Sequence, residues 1–385
     1  MKNGIKKGIC LISAAIAISL LAGCWDRIEI EDRAFAVAFG IDAAGTKDST
    51  DPINAEADEE EREEREQARF RFSAALASAD NKSSGGGDEE NESGDDPSTQ
   101  GQTLLESIYA LDAQCSRKLS FGQAKTVVLG KRLLQDQDLF REAVGVIENR
   151  SEIDRTITVL VTDGEVPDIL SATPPSGSKP GYYVVNFYRL ASKSGGQSFQ
   201  KNFEMMMAEL RATGNTLLPL IGEADDNIQV EGALAIKDYQ LAGELSGTEL
   251  RGLLWAENKA CKGAILTTDN NMPMIVRRHR SSVRFDEEDG HLRCFVNVRV
   301  KGDVYHFGDE APKALEYEQL IEQEIKKAAK KLQQELELDA FNFRMALRKQ
   351  RYSLYQQYVY DWEQAFVDME IIPAVRCDIT LAVKN

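Results

Sequence analysis

Five apolar residues at strictly alternate positions, Leu292, Cys294, Val296, Val298 and Val300, constrain this chain more than any other feature. Arg293, Asn297, Arg299 and Lys301 stand between them. A period of two puts the apolar set on one side of an extended strand and the polar set on the other. Such a strand needs a dry layer against it. Val283 and Phe285, ahead of the Asp289-Gly290 hairpin turn, mark a second strand. Val375, Cys377, Ile379, Leu381 and Val383 mark a third, and Ala264 to Thr267 a short fourth. Ile321, Ile325, Ala328, Leu332 and Leu336 recur at helical spacing among Glu and Lys and supply the covering layer. Phe343, Leu347, Tyr355, Tyr358 and Trp362 extend the helical material. Residues 261–385 therefore read as an α+β domain with a four-stranded sheet and helices.

Upstream, Phe35, Val37, Phe39 and Ile41 alternate as a strand, and Phe70, Phe72, Ala74 and Leu76 as another. Thr103 and Glu106 have the spacing of a capping box, opening a helix lined by Leu104, Leu105, Ile108 and Leu111. Ala124 to Leu129 and Thr156 to Val161 read as strands, separated by a helix carrying Phe140, Val144 and Ile147. Helices alternating with strands imply a mixed, partly parallel sheet in an N-terminal domain over 24–173. Two acidic insertions interrupt it, at about 45–66 and 80–100. The second holds Gly85-Gly86-Gly87 and almost no apolar residue, so it reads as a disordered loop. Thr173-Pro174-Pro175 marks a boundary. A middle α+β domain over 174–260 follows. Val184 to Leu190 and Phe199 to Arg211 read as helical there, Thr216 to Ile221 and Gln229 to Ile236 as extended. Ser246 and Glu249 form a second capping box, opening a short helix that ends near Trp255. The expected fold class is α+β, in three domains with mixed and antiparallel sheets packed by helices.

The chain starts with Lys2, Lys6 and Lys7, an apolar run from Ile9 to Leu21, and then Leu21-Ala22-Gly23-Cys24. That run is short for a membrane span and reads as a signal peptide over 1–23. Small residues followed at once by cysteine give the pattern of a bacterial lipobox. Cys24 is the expected lipidation site, carrying a thioether-linked diacylglycerol after cleavage, with a palmitate-type N-acyl chain on the new terminus. One acyl chain holds only marginally, whereas two or three give a stable tether. The formal charge is −17. Residues 48–66 hold ten carboxylates against Arg62 and Arg65, and residues 80–96 hold seven against Lys82. The rest is mildly acidic, which excludes the footprint of a nucleic-acid binder. An acidic surface is repelled by anionic lipid, so the acyl chains are expected to do the holding.

Chemistry-bearing patterns are absent. The chain has no phosphate-binding loop, no dinucleotide fingerprint and no Gly-x-Ser-x-Gly nucleophile elbow. Three histidines, His279, His291 and His306, cluster near the hairpin without a ligand pair at helical spacing. Cys115, Cys261, Cys294 and Cys377 form no Cys-x-x-Cys pair. They read as small buried hydrophobes, Cys294 and Cys377 on apolar strand faces, and three disulfide connectivities stay open. Met205-Met206-Met207 reads as core filling. No catalytic residue, metal site or cofactor is expected, and no enzymatic activity.

Several segments, in order, resemble the Ger(x)C family of spore germination lipoproteins, the C subunits of GerA-type nutrient receptors. Leu21 to Arg27 resembles the start of that family, and Ala38-Phe39-Gly40-Ile41-Asp42, Gly101 to Ile108, Ser116 to Gly122 and Asp154-Arg155-Thr156 continue it. The similarity is densest from Leu241 to Trp255 and extends through Glu322 to Lys327 and Asp361-Trp362. It implies three α+β domains on a lipid anchor, on the non-cytoplasmic face of a spore's inner membrane. It also implies membrane-embedded A and B subunits as partners, and only Cys24 carries over as a site. The acidic stretch from Asp48 to Glu66 departs from the family by its length and charge. The competing expectation is a lipid-anchored solute-binding protein of a transporter, which calls for two similar lobes around a cleft.

Overall fold

The computed structural model describes residues 29–45, 67–77, 97–172, 182–186, 199–224, 227–259, 263–305 and 312–382. The signal peptide, Cys24, Cys261, His306 and nearly all of both acidic insertions lie outside the described residues.

The first half builds one mixed sheet. Its elements in chain order are β1 (Arg33–Ala43), β2 (Phe70–Leu76), β3 (Ser98–Gly101), α1 (Leu104–Gln114), β4 (Lys118–Ser120), β5 (Thr126–Gly130), α2 (Lys131–Gln135), α3 (Gln137–Asn149), β6 (Thr158–Thr162) and α4 (Val166–Ser171). Then come α5 (Phe203–Thr213), β7 (Thr216–Ala224), β8 (Asn227–Lys237) and β9 (Gln240–Ser246). The strand order is β3-β2-β1-β5-β6-β7-β8-β9, with β4 beside the start of β1. The centre, β1-β5-β6-β7, is parallel, and both flanks are antiparallel. β1 is buried on both sides, which is why Ala36 and Ala38 alternate with Phe39 and Ile41 without any polar face. Phe121 packs edge to face on Phe39 and Phe72 in the core shared with α1 and α3. α4 and the helical residues 182–186 cover the opposite face through Val166, Ile169, Leu170 and Val184.

Three expectations change. Residues 98–100, placed in the acidic loop, fall in β3, pair with β2 and bury Thr99. The Pro-rich stretch near residue 174 does not end the sheet, because β6 and β7 pair parallel on either side of it. The middle unit expected over 174–260 does not stand apart: its strands extend the first sheet, while Leu217, Ala233 and Ala235 turn into the core of the second.

That second core holds α6 (Gly247–Ala256), β10 (Ile265–Thr267), β11 (Pro273–Glu288), β12 (His291–Val304), α7 (Ala314–Lys330, continued by a wider turn over Lys331–Glu335), α8 (Phe343–Gln350), α9 (Tyr352–Tyr358), α10 (Trp362–Val367) and β13 (Glu370–Leu381). The sheet order is β10-β11-β12-β13, four strands as the alternation predicts, with β13 parallel to β12. Ile321, Ile325, Ala328 and Leu332 of α7 share one buried core with Cys294, Val296, Val298 and Val300. The fold is α+β.

Candidate functional site

The stretch from Leu241 to Trp255 becomes β9 and, directly after it, α6, the joint between the two sheets. Ser246 caps α6: its hydroxyl accepts from the Glu249 amide at 3.3 Å, and the Glu249 carboxylate accepts from the Ser246 amide at 2.8 Å. Leu250, Leu253, Leu254 and Trp255 are buried. Gly252 lets α7 approach: a Cβ there would lie 2.1 Å from the Glu324 carbonyl oxygen. The Glu324 side chain, from α7, accepts from Arg251 Nε at 2.8 Å, from a second Arg251 nitrogen and from Trp255 Nε1 at 2.8 Å. A carboxylate held by a guanidinium fork and an indole fixes the two helices in one register. Glu322 of α7 accepts from the Val375 amide at 3.3 Å, and so ties the same helix to β13.

A second polar cluster lies at the carboxyl edge of the parallel strands, where open α/β sheets place ligands. Asp42 ends β1 and is 1% exposed. Gly130, at the end of β5, makes room for it: a Cβ there would sit 2.1 Å from Asp42 Oδ1. Arg132 donates to Asp42 Oδ2 and to Glu165 Oε1, both at 2.8 Å. Arg71 donates to Glu165 Oε2 at 3.1 Å. Burial pushes the Asp42 carboxyl up, Arg132 opposes this, and Glu165 adds to it. The acids and guanidiniums satisfy one another and clamp β1, β2, α2 and the start of α4. Sequence reasoning missed this cluster: Asp42 entered only within a segment of family resemblance, and Arg132 and Glu165 come from distant segments.

Cys294 and Cys377 are buried in the second core, and Cys115 is half-buried at the end of α1; all three are free thiols. Burial pushes Cys377 up to about 12 and Cys294 higher still. Cys294 faces Ile371 and Cys377 faces Val300 in the register, so these two do not meet. Cys115 lines a shallow groove of about 380 Å³ with Asp32, Asp112, Ser116, Arg117 and Lys118. Burial and the neighbouring Asp112 push its thiol above the ordinary value. His279 packs edge-on to Trp255 at 5.2 Å and burial lowers its pKa, whereas His291 is exposed at the hairpin. Among the described residues no group of three His, Cys, Asp or Glu side chains is placed to hold a metal ion. Met206 and Met207 fill the first core, and Met205 is exposed. No helix among the described residues is long and apolar enough to cross a membrane.

The arrangement is that of a two-sheet α+β protein whose polar clusters join elements. Comparison with known proteins gives it a family. The profile described as "Spore germination protein N-terminal domain" matches residues 26–223, and that described as "Spore germination B3/ GerAC like, C-terminal" matches residues 231–381. The chain belongs to this Ger(x)C family of spore germination proteins. YfkR of Bacillus subtilis strain 168 is 22% identical over 96% of this chain and 95% of its own length. The "Spore germination protein YndF" of the same organism is 20% identical over 99% and 98%. Among solved structures, "Crystal Structure of the GerBC protein" superposes with a TM-score of 0.56 at 16% identity, covering 80% of this chain and 92% of the other, and so shares its fold.

Proposed function

We propose that the chain is a lipid-anchored, non-enzymatic subunit of a spore nutrient germinant receptor, held by Cys24 on the non-cytoplasmic face of the spore membrane beside membrane-embedded A and B subunits. The observation that carries this reading is family membership along almost the whole described chain, combined with the Leu21-Ala22-Gly23-Cys24 leader. A subunit held by an acyl tether gains effective concentration at a surface, so weak lateral contacts suffice. The test pairs a deletion with co-purification. Spores lacking the protein should fail to respond to one class of nutrient yet respond to a trigger that bypasses receptors, and detergent-solubilised membranes should yield the two polytopic subunits with it. Normal nutrient germination, with neither subunit recovered, would return the solute-binding alternative to first place.

A further inference from the structure

The second sheet has two faces of opposite character. The positions alternating with its apolar set point away from the core, and basic side chains are frequent among them. β11 contributes Arg278, Arg280 and Arg284, β12 contributes Arg299 and Lys301, and β13 contributes Arg376, all exposed. The register sets Arg280 opposite Arg299, and Arg299 opposite Arg376. Neighbouring strands lie about 4.8 Å apart, so three arginines form one row across the sheet. Like charges directly opposite one another destabilise a sheet. Folding stability alone therefore does not account for the row.

Neutralising acids sit at the ends of this face. Arg277 pairs with Asp303, and Lys301 with Asp378 at 3.6 Å, towards one end. Arg293 pairs with Glu288 and Asp286 at the other. Arg284 lies over the Phe295 ring, 4.9 Å from its centroid. Among the described residues, Arg278, Arg280, Arg299 and Arg376 have no carboxylate partner. In a chain of formal charge −17, this is concentrated placement rather than compositional excess. At the border of the face Ile265 is 59% exposed, opposite Ile275, and Tyr305 is 40% exposed just beyond β12.

We infer that the outward face of the second sheet docks on an anionic phospholipid surface, with Arg280, Arg299 and Arg376 engaging headgroup phosphates. Guanidinium presents a planar fork that matches a phosphate and is weakly hydrated, which suits it to an interface. A broad, open strand face spreads such contacts over several headgroups. Exposed isoleucine and tyrosine at its border match the interfacial zone, where apolar and amphipathic side chains settle. An acidic protein surface would equally attract the charge, and the vesicle experiment separates it from lipid. The inference stands beside the proposed Cys24 anchor: the tether fixes the chain to the bilayer, and this face sets how the body lies on it. It also narrows the expectation, drawn from bulk charge, that the protein body is simply repelled.

The test is per-residue arginine modification by phenylglyoxal, read by mass spectrometry. The full chain is placed in phosphatidylcholine vesicles and in equal mixtures of phosphatidylcholine and phosphatidylglycerol. Arg280, Arg299 and Arg376 should react about fivefold more slowly on the anionic vesicles, the protection fading at high salt, while Arg211, remote on α5, reacts equally on both. The combined variant Arg280→Gln, Arg299→Gln, Arg376→Gln should keep its circular dichroism and melt no earlier than the parent, yet lose the protection of Arg278. Equal reactivity on the two vesicle types overturns the inference. So does protection seen only in native membranes holding the partner subunits, which would make the occupant an acidic protein. The readout is local to this face, so failure of the anchor is scored separately by amino-terminal mass spectrometry.

Discussion

Glu324 carries more than its size suggests, because two donors depend on it. It is 7% exposed on α7 and receives Arg251 and Trp255 from α6. Glu324→Ala takes the acceptor from the buried Trp255 indole N–H and the carboxylate from Arg251, at an expected loss of about 3 kcal/mol. Glu324→Gln keeps one acceptor oxygen and should lose less, about 1–2 kcal/mol. Urea denaturation of both variants measures the ordering, and equal losses would show that the fork is not what holds the joint. Asp339 gives a pH signature. Its carboxylate accepts from the Phe343 amide at 3.0 Å, the Arg344 amide at 2.8 Å and Trp362 Nε1 at 3.1 Å. Burial outweighs these donors and pushes it from 3.8 to about 6. The folded state therefore binds the proton more tightly than the unfolded state. Stability from this group is fully present below about 4 and is lost as pH rises through about 6. Against Asp339→Asn, which cannot titrate, the parent should lose on the order of 1–3 kcal/mol across that window. Parallel pH profiles for the two would refute the assignment.

At the scale of elements, two glycines in helices have opposite expected consequences. Gly252 faces the α7 backbone, so Gly252→Ala must push α6 and α7 apart, at an expected cost of about 2 kcal/mol or more. Gly145 on α3 has open space where a Cβ would stand, so Gly145→Ala should stabilise by about 1 kcal/mol. Melting temperatures moving in opposite directions check the pair. This contrast marks the limit of sequence reading. α6 was legible from its capping box, and the second sheet from its alternation. The close approach at Gly252 was not, because a glycine inside a helical pattern looks the same whether or not a neighbour needs the space. β3 was missed because Ser98 to Gly101 has no apolar residue, and its strand character comes from pairing with β2. β9 was missed because Leu241 and Leu245 flank a glycine, leaving too little apolar signal over Gln240–Ser246. The Asp42 cluster was not legible: one acid at the end of an apolar strand carries no signal alone, and Arg132 lies 90 residues away and Glu165 another 33.

The whole molecule unites what the linear pattern divided. Turn-rich composition near residue 174 suggested a boundary, yet composition reports where a chain can bend and not which strands then pair. The basic face escaped notice for a similar reason: its arginines are spread over three strands from Arg278 to Arg376 and converge only through the register. Continuity of the core makes a further prediction. Leu217, Ala233, Ala235 and Leu245 of the first sheet pack in the same cluster as α6, α7 and the second sheet. Neither sheet can unfold without exposing part of the other's packing surface. Interfaces between independent domains are more polar than a shared apolar core, and allow separate melting. The described protein should therefore unfold in a single calorimetric transition, with calorimetric and van't Hoff enthalpies agreeing. Glu324→Ala, lying in the joint, should lower that one transition without splitting it if the shared core dominates. Two resolved transitions in the parent protein would show that the sheets are energetically separate. A splitting that appears only in Glu324→Ala would place the coupling in the α6–α7 joint rather than in the apolar contacts around it.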